Sequence, residues 1–167
     1  LYLILTNQTP TEKKTIDEQI TQSIDVQAEE LDNHRTMSAQ ELRKLAEGEL
    51  VTIGGHTHNC VKLSSLPKWQ QVEEISENKN VLEEVLGRDI EYFSYPFGYE
   101  RCYTAETIGI LEDSGFSLAC GNTYGMVSIS GETSRYELPR VRVGNWNQYT
   151  FYRFLKRFFD CSEELTW

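Results

Sequence analysis

The sequence predicts an α/β fold with a mostly parallel sheet, on three observations. Short apolar runs alternate with stretches of helical period. Turn residues separate the two kinds of segment. Neither an internal repeat nor a Pro/Gly-rich linker interrupts them. Such alternation fits an open sheet or a closed barrel, and residues 1–167 read as one domain large enough for a real core.

Each element has its own signal. Leu1–Thr6 reads as a buried strand that stops at the Asn7-Gln8-Thr9-Pro10 turn. Thr15 and Glu18 have capping-box spacing, and Ile16, Ile20, Ile24, Ala28 and Leu31 then recur near the helical period. The charges between Glu12 and Asp32 make a solvated face. Ser38 and Glu41 form a second capping box, with Met37 and Leu42 placed for a hydrophobic staple and Gly48 for a left-handed stop. Leu50–Ile53 follows as a strand. Pro67 stands where a helix begins, and Trp69, Val72, Ile75, Lys79, Leu82 and Leu86 give its stripe up to Gly87.

Ile90–Tyr95 reads as the next strand. A helix over 105–113 stops at Ser114-Gly115, and Phe116–Cys120 is a further strand. Met126–Ile129 and Leu138–Val143 read as strands around a polar loop. Phe151, Phe154, Leu155 and Phe158 mark a final amphipathic helix, with its phenylalanines and Trp69 expected in the core.

Composition narrows the function. The net charge is −10 (16 Lys and Arg against 26 Asp and Glu), which argues against a phosphate-backbone partner. No apolar run approaches the roughly 18 residues of a membrane span. Cys60, Cys102, Cys120 and Cys161 show no close pairing, which leans toward a reducing, cytoplasmic setting. The chain opens inside an apolar run without Met, as though cut from a longer protein.

The most informative stretch is Ile53-Gly54-Gly55-His56-Thr57-His58-Asn59-Cys60. Two imidazoles and a thiol crowd the end of a predicted strand, a donor set that suits a transition metal and zinc first. Spacing alone equally allows two polar loop histidines and a small core cysteine. Tyr95-Pro96-Phe97-Gly98 also follows a strand directly. In open and closed α/β folds alike, ligands gather beyond the strands' carboxyl ends, so both segments should share one rim.

Together the motifs are recognisable. Val51–Cys60, Leu63-Ser-Ser-Leu66, Phe93-Ser-Tyr-Pro-Phe-Gly98, Asp113-Ser-Gly-Phe116 and Leu138-Pro-Arg-Val141 occur in order and at fitting separations. The chain resembles the polysaccharide deacetylase family, carbohydrate esterase family four, in the branch with a Tyr-Pro-Phe-Gly turn. The resemblance implies a deformed (β/α) barrel, here lacking its first strand. It also implies metal-dependent removal of acetyl groups from a glycan, with a divalent metal, most naturally zinc, as cofactor.

Carried over by position, His56 is a metal ligand, and Cys60 stands where the family has its second histidine. A cysteine thiolate can ligate zinc. His58 falls at a variable position and offers a further donor. The family's Asp-Asp-Gly motif, which supplies a ligand and the general base, has no match, and no histidine follows His58 as a late acid.

The backbone N–H of Phe97, held between Pro96 and Gly98, corresponds to an oxyanion donor, although taken alone the turn is an ordinary proline turn. Ser94 stands where many relatives carry an arginine that orients the base. Arg140 could supply that guanidinium, or serve only as a surface ion pair. Tyr95 and Tyr99 suit stacking on sugar rings at the rim, with Trp146, though such aromatics are more often packing residues. A catalytically inactive member that binds carbohydrate or protein through the same rim is the alternative reading.

Overall fold

The computed structural model describes residues 10–23, 35–127 and 133–160. Helix α1 (Pro10–Ser23) is followed by α2 (Ala39–Ala46), a short 3-10 turn at Leu63–Ser65 and α3 (Lys68–Leu86). Then come β1 (Tyr92–Ser94), α4 (Ala105–Asp113), β2 (Leu118–Cys120) and α5 (Gln148–Asp160). Strands β1 and β2 pair in parallel, Tyr92 with Leu118 through Ser94 with Cys120. Single parallel bridges widen the sheet on both sides, Gly55 to Phe93 and Leu138 to Cys120. The predicted α/β class with parallel strands therefore holds among the described residues.

The helix ends explain themselves locally. Ser38 caps α2, accepting from the Glu41 N–H while the Glu41 carboxylate accepts from the Ser38 N–H at 2.7 Å, as the spacing predicts. Thr104 and Thr107 make the same reciprocal bond at α4. Gly87 closes α3 in the left-handed conformation at φ 66°.

Several expectations are corrected. Helix α1 begins at Pro10, so Thr15 lies inside it and bonds back to the Thr11 carbonyl instead of capping. Gly48 is not left-handed; α2 ends through right-handed Glu47, whose N–H reaches Arg43. Leu138–Val143 contributes a single bridge, at Leu138, and Leu50–Ile53 forms neither strand nor bridge, the nearest bridge being at Gly55; Leu50 stands in solvent. The proposed Leu1–Thr6 strand, residues 24–34, Cys161 and the second half of the Met126–Ile129 strand lie outside the described residues, while Met126 and Val127 are exposed and in no strand.

The inner face of α3 is rotated from the expected stripe. Gln71, Glu74 and Ile75 are buried, while Trp69 (65% exposed) and Val72 face solvent. The reason is polar. Gln71 donates to the Leu66 carbonyl and accepts from the buried Thr107 hydroxyl at 2.7 Å, tying α3 to α4. On α5 the stripe is only partly covered: Phe151 is exposed, and Phe154 packs on Trp146 with ring centroids 5.0 Å apart.

The core gathers around the strands. Phe93, Tyr95, Leu111, Phe116 and Ala119 are buried together with Val61, Leu63, Ile75 and Ile90. Ile90, just before β1, is held by side chains of α3. Lys79 Nζ donates to its carbonyl at 2.6 Å, and its N–H donates to the Glu83 carboxylate at 2.9 Å. Lys79 and Glu83 also pair at 3.2 Å, and the Lys79 ammonium lies 4.6 Å from the Phe116 ring centroid.

Candidate active site

The Gly54–Cys60 loop lies along the edge of β1. Gly55 donates to the Tyr92 carbonyl at 2.8 Å and accepts from the Ser94 N–H at 2.9 Å. Neither Gly54 nor Gly55 has a positive φ. Their role is closeness: a Cβ on Gly54 would stand 2.8 Å from the Tyr92 carbonyl oxygen, and one on Gly55 would stand 3.0 Å from both Asn78 Oδ1 and Phe93. The chain turns instead at Thr57 (φ 64°) and Cys60 (φ 51°), both left-handed.

The His56 ring reaches back to the strand. Its Nδ1 lies 2.6 Å from the Ser94 carbonyl oxygen. A carbonyl only accepts, so Nδ1 carries a proton, and in the neutral ring Nε2 is the nitrogen with the lone pair. Burial of the ring's inner side lowers its pKa below the ordinary histidine value, with the nearby Arg140 charge acting in the same direction and the Ser94 bond opposing. The neutral form is thereby favoured, and in it Nε2 is the nitrogen open to a metal or a proton.

Beyond β1 the chain makes a three-residue turn in which the Gly98 N–H donates to the Pro96 carbonyl at 2.7 Å. Phe97, at its centre, is left-handed at φ 63°. Asn122, just after β2, fastens this turn: its N–H donates to the Gly98 carbonyl at 2.6 Å and its side chain to the Phe97 carbonyl at 3.2 Å. Arg140 completes the cluster. Its guanidinium donates to the Gly121 carbonyl through Nε and to the Ser94 hydroxyl through Nη1 at 3.3 Å.

The structure thus joins His56 to Ser94, and Ser94 to Arg140, beside the Pro96–Gly98 turn. It does not gather the whole expected donor set. Among the described residues, no three His, Cys, Asp or Glu side chains form a group that could hold a metal ion. The expected ligands are His56 with Cys60, or with His58 in its stead, and a pair of donors is not a group of three. The backbone of the loop is tied at separate points, His56 to Asn78 and His58 to Glu74, and left-handed Thr57 and Cys60 redirect the chain between and after them. Of the two described histidines, His56 is the one whose tautomer a ring hydrogen bond fixes, as in a prepared ligand.

Tyr95 is also corrected. Its ring has no exposed surface, stacks on Tyr103 at 3.8 Å, and its hydroxyl donates to the Tyr136 carbonyl at 2.9 Å. Such a ring does not stack on a sugar. Pro96 and Gly98 are buried, and Tyr99 is 56% exposed. Sequence reasoning missed Glu74, Asn78 and Asn122. The signal for Asn122 was its place directly after a predicted strand, in Cys120-Gly121-Asn122.

Residues 8–119 match the family model described as polysaccharide deacetylase. The chain belongs to the polysaccharide deacetylase family. Solved members of similar fold include a Streptococcus pyogenes deacetylase in complex with acetate, 19% identical at TM-score 0.59, which covers 68% of this chain and 48% of that one. A Bacillus cereus polysaccharide deacetylase, 18% identical, superposes at TM-score 0.62 over 74% of this chain and 37% of its own. A de-N-acetylase from Aggregatibacter actinomycetemcomitans, 16% identical, gives TM-score 0.57 over 71% and 53%. The chain therefore spans about half the length of these deacetylases or less. A search of curated proteins finds no match. No helix among the described residues is long and apolar enough to cross a membrane.

Proposed function

We propose that the chain forms part of a metal-dependent glycan deacetylase, folded with the rest of its protein as one deformed (β/α) barrel domain. The observation that carries the reading is the 2.6 Å approach of His56 Nδ1 to the Ser94 carbonyl, which sets the imidazole beside the strand leading to Pro96-Phe97-Gly98. His56 then offers Nε2 to a divalent metal such as zinc, with Cys60 or His58 as a second donor. A bound metal supplies an activated water and polarises the acetyl carbonyl.

The chain's own residues supply the surroundings. The Phe97 N–H, in a turn fixed by Asn122, faces the developing oxyanion, and Pro96 and Gly98 shape the wall behind it. Arg140 orients a carboxylate base in place of the arginine that Ser94 replaces. Tyr99 lies along the sugar path. The reading requires a carboxylate base and at least one further metal ligand that this cluster does not contain.

The test is acetate release from acetylated chito-oligosaccharides by the full-length protein, with zinc, with chelator, and with His56→Ala. Release that chelation stops, and that the variant lowers by about 10²-fold or more, is the expected outcome. A second reading, an inactive member that binds glycan or protein, draws support from the ungathered donors among the described residues. Glycan binding without any acetate release would favour it.

A further inference from the structure

We propose that Glu74 and Asn78, one turn apart on the inner face of α3, are positioning residues that set where the His56 imidazole stands. The proposal rests on the reading of His56 as the site's prepared donor.

The Gly54–Cys60 loop does not select its own path. Thr57 and Cys60 occupy a backbone region that residues with a Cβ avoid, so the surroundings must impose it. Helix α3 does so through four bonds. Asn78 Oδ1 accepts the His56 N–H at 2.9 Å, and the Glu74 carbonyl accepts the His58 N–H at 3.0 Å. The two Glu74 carboxylate oxygens accept the Asn59 N–H at 2.8 Å and its side-chain amide at 2.7 Å.

Glu74 is only 6% exposed and makes no salt bridge among the described residues. A buried carboxylate whose partners are all neutral is a costly way to fill space, and an apolar residue would do that better. Its two oxygens instead match two donors of one residue, which fixes the loop in direction as well as height. Asn78 works nearer the chemistry. It holds the His56 backbone while the Ser94 carbonyl holds the ring, so the imidazole is fixed from both ends. The close approach of Asn78 Oδ1 to the site of a Gly55 Cβ leaves no slack between helix and loop.

The experiment follows the His56 ring directly. In full-length ¹⁵N-labelled protein, exchange with solvent is measured for the His56 Nδ1–H and the backbone amides of His56 and Asn59. The variants are Asn78→Ala, Asn78→Asp (which keeps the acceptor) and the near-isosteric Glu74→Gln. Asn78→Ala should speed Nδ1–H exchange by about tenfold or more below the melting transition, and Asn78→Asp should restore it. Glu74→Gln should speed the Asn59 amide by about tenfold and the His56 ring proton with it; it carries the test alone if Asn78→Ala fails to fold. Unchanged His56 exchange in the folded variants, however far their melting temperatures fall, would overturn the proposal, as would a wild-type protein with no protected Nδ1–H. A protein that shows the expected exchange pattern but releases no acetate counts against the deacetylase reading and leaves this one standing.

Discussion

Arg140 and Ser94 lie 46 positions apart in sequence, yet the guanidinium Nη1 donates to the serine hydroxyl at 3.3 Å. The same side chain holds the Gly121 carbonyl through Nε, and its own backbone N–H holds Thr123 at 2.9 Å. A positive charge therefore reaches the end of β1 from a segment beyond β2. It arrives at the position where, by resemblance, many relatives carry an arginine on the strand itself. The planar fork makes this reach possible, because two of its N–H groups point to two different acceptors.

Replacing Arg140 by Met should accordingly cost about 1–2 kcal/mol, from the loss of both side-chain bonds at a partly exposed site. Arg140→Lys should recover little of this, since an ammonium cannot reproduce the fork. Urea midpoints of the three proteins measure the difference.

Gly98→Ala is expected to be the most damaging single methyl addition near the site. Gly98 is left-handed at φ 68°, and its new Cβ would stand 2.8 Å from the Asn122 nitrogen. The strain and the lost seat for Asn122 should together cost at least about 2 kcal/mol, visible as a drop in melting temperature.

Tyr95→Phe removes the buried hydroxyl that serves the Tyr136 carbonyl. A loss of about 1–2 kcal/mol is expected. Burial holds the Tyr95 phenol above its ordinary pKa, with neighbouring Tyr103 adding to the effect. Above about pH 10 the unfolded phenol loses its proton while the folded one keeps it, so stability falls as pH rises. The variant should show a shallower decline between neutral and alkaline urea titrations.

His56 has the opposite window. Its folded pKa is lowered, so as pH falls below about 6.5 the unfolded chain takes up the proton first. Its contribution is present above that pH and is lost on acidification. Urea midpoints at mildly alkaline and mildly acid pH should diverge less in His56→Asn than in the wild type.

Where a helix carries its signal in adjacent residues, the sequence was readable. The bounds of α4 follow from the local period and from Ser114-Gly115, and the start of α2 from Ser38 and Glu41. The short strands were harder, because a parallel pair depends on partners far along the chain. Tyr92–Ser94 pairs with Leu118–Cys120, while the equally apolar Leu50–Ile53 keeps a single neighbouring bridge at Gly55. Glu74 and Asn78 escaped for the same reason, since their partners lie 15 to 22 residues upstream. Their trace was nevertheless present. Gln71, Glu74, Ile75 and Asn78 stand at i, i+3, i+4 and i+7, a helical stripe that is mostly polar and that turns inward because Glu74 and Asn78 meet loop amides and Gln71 meets the Leu66 carbonyl and the Thr107 hydroxyl. At the site, His56 and the Pro96–Gly98 turn were visible as motifs, but the Arg140 bond to Ser94 needed the fold to bring them together.

The grip of α3 on Ile90 couples helix and strand. Ile90 is buried just before β1, where, among the described residues, neither neighbouring segment serves its backbone groups, and Lys79 and Glu83 occupy both. The start of the strand therefore cannot lift away without breaking a lysine and a glutamate bond at once, so the middle of α3 and the entry to β1 open as one unit.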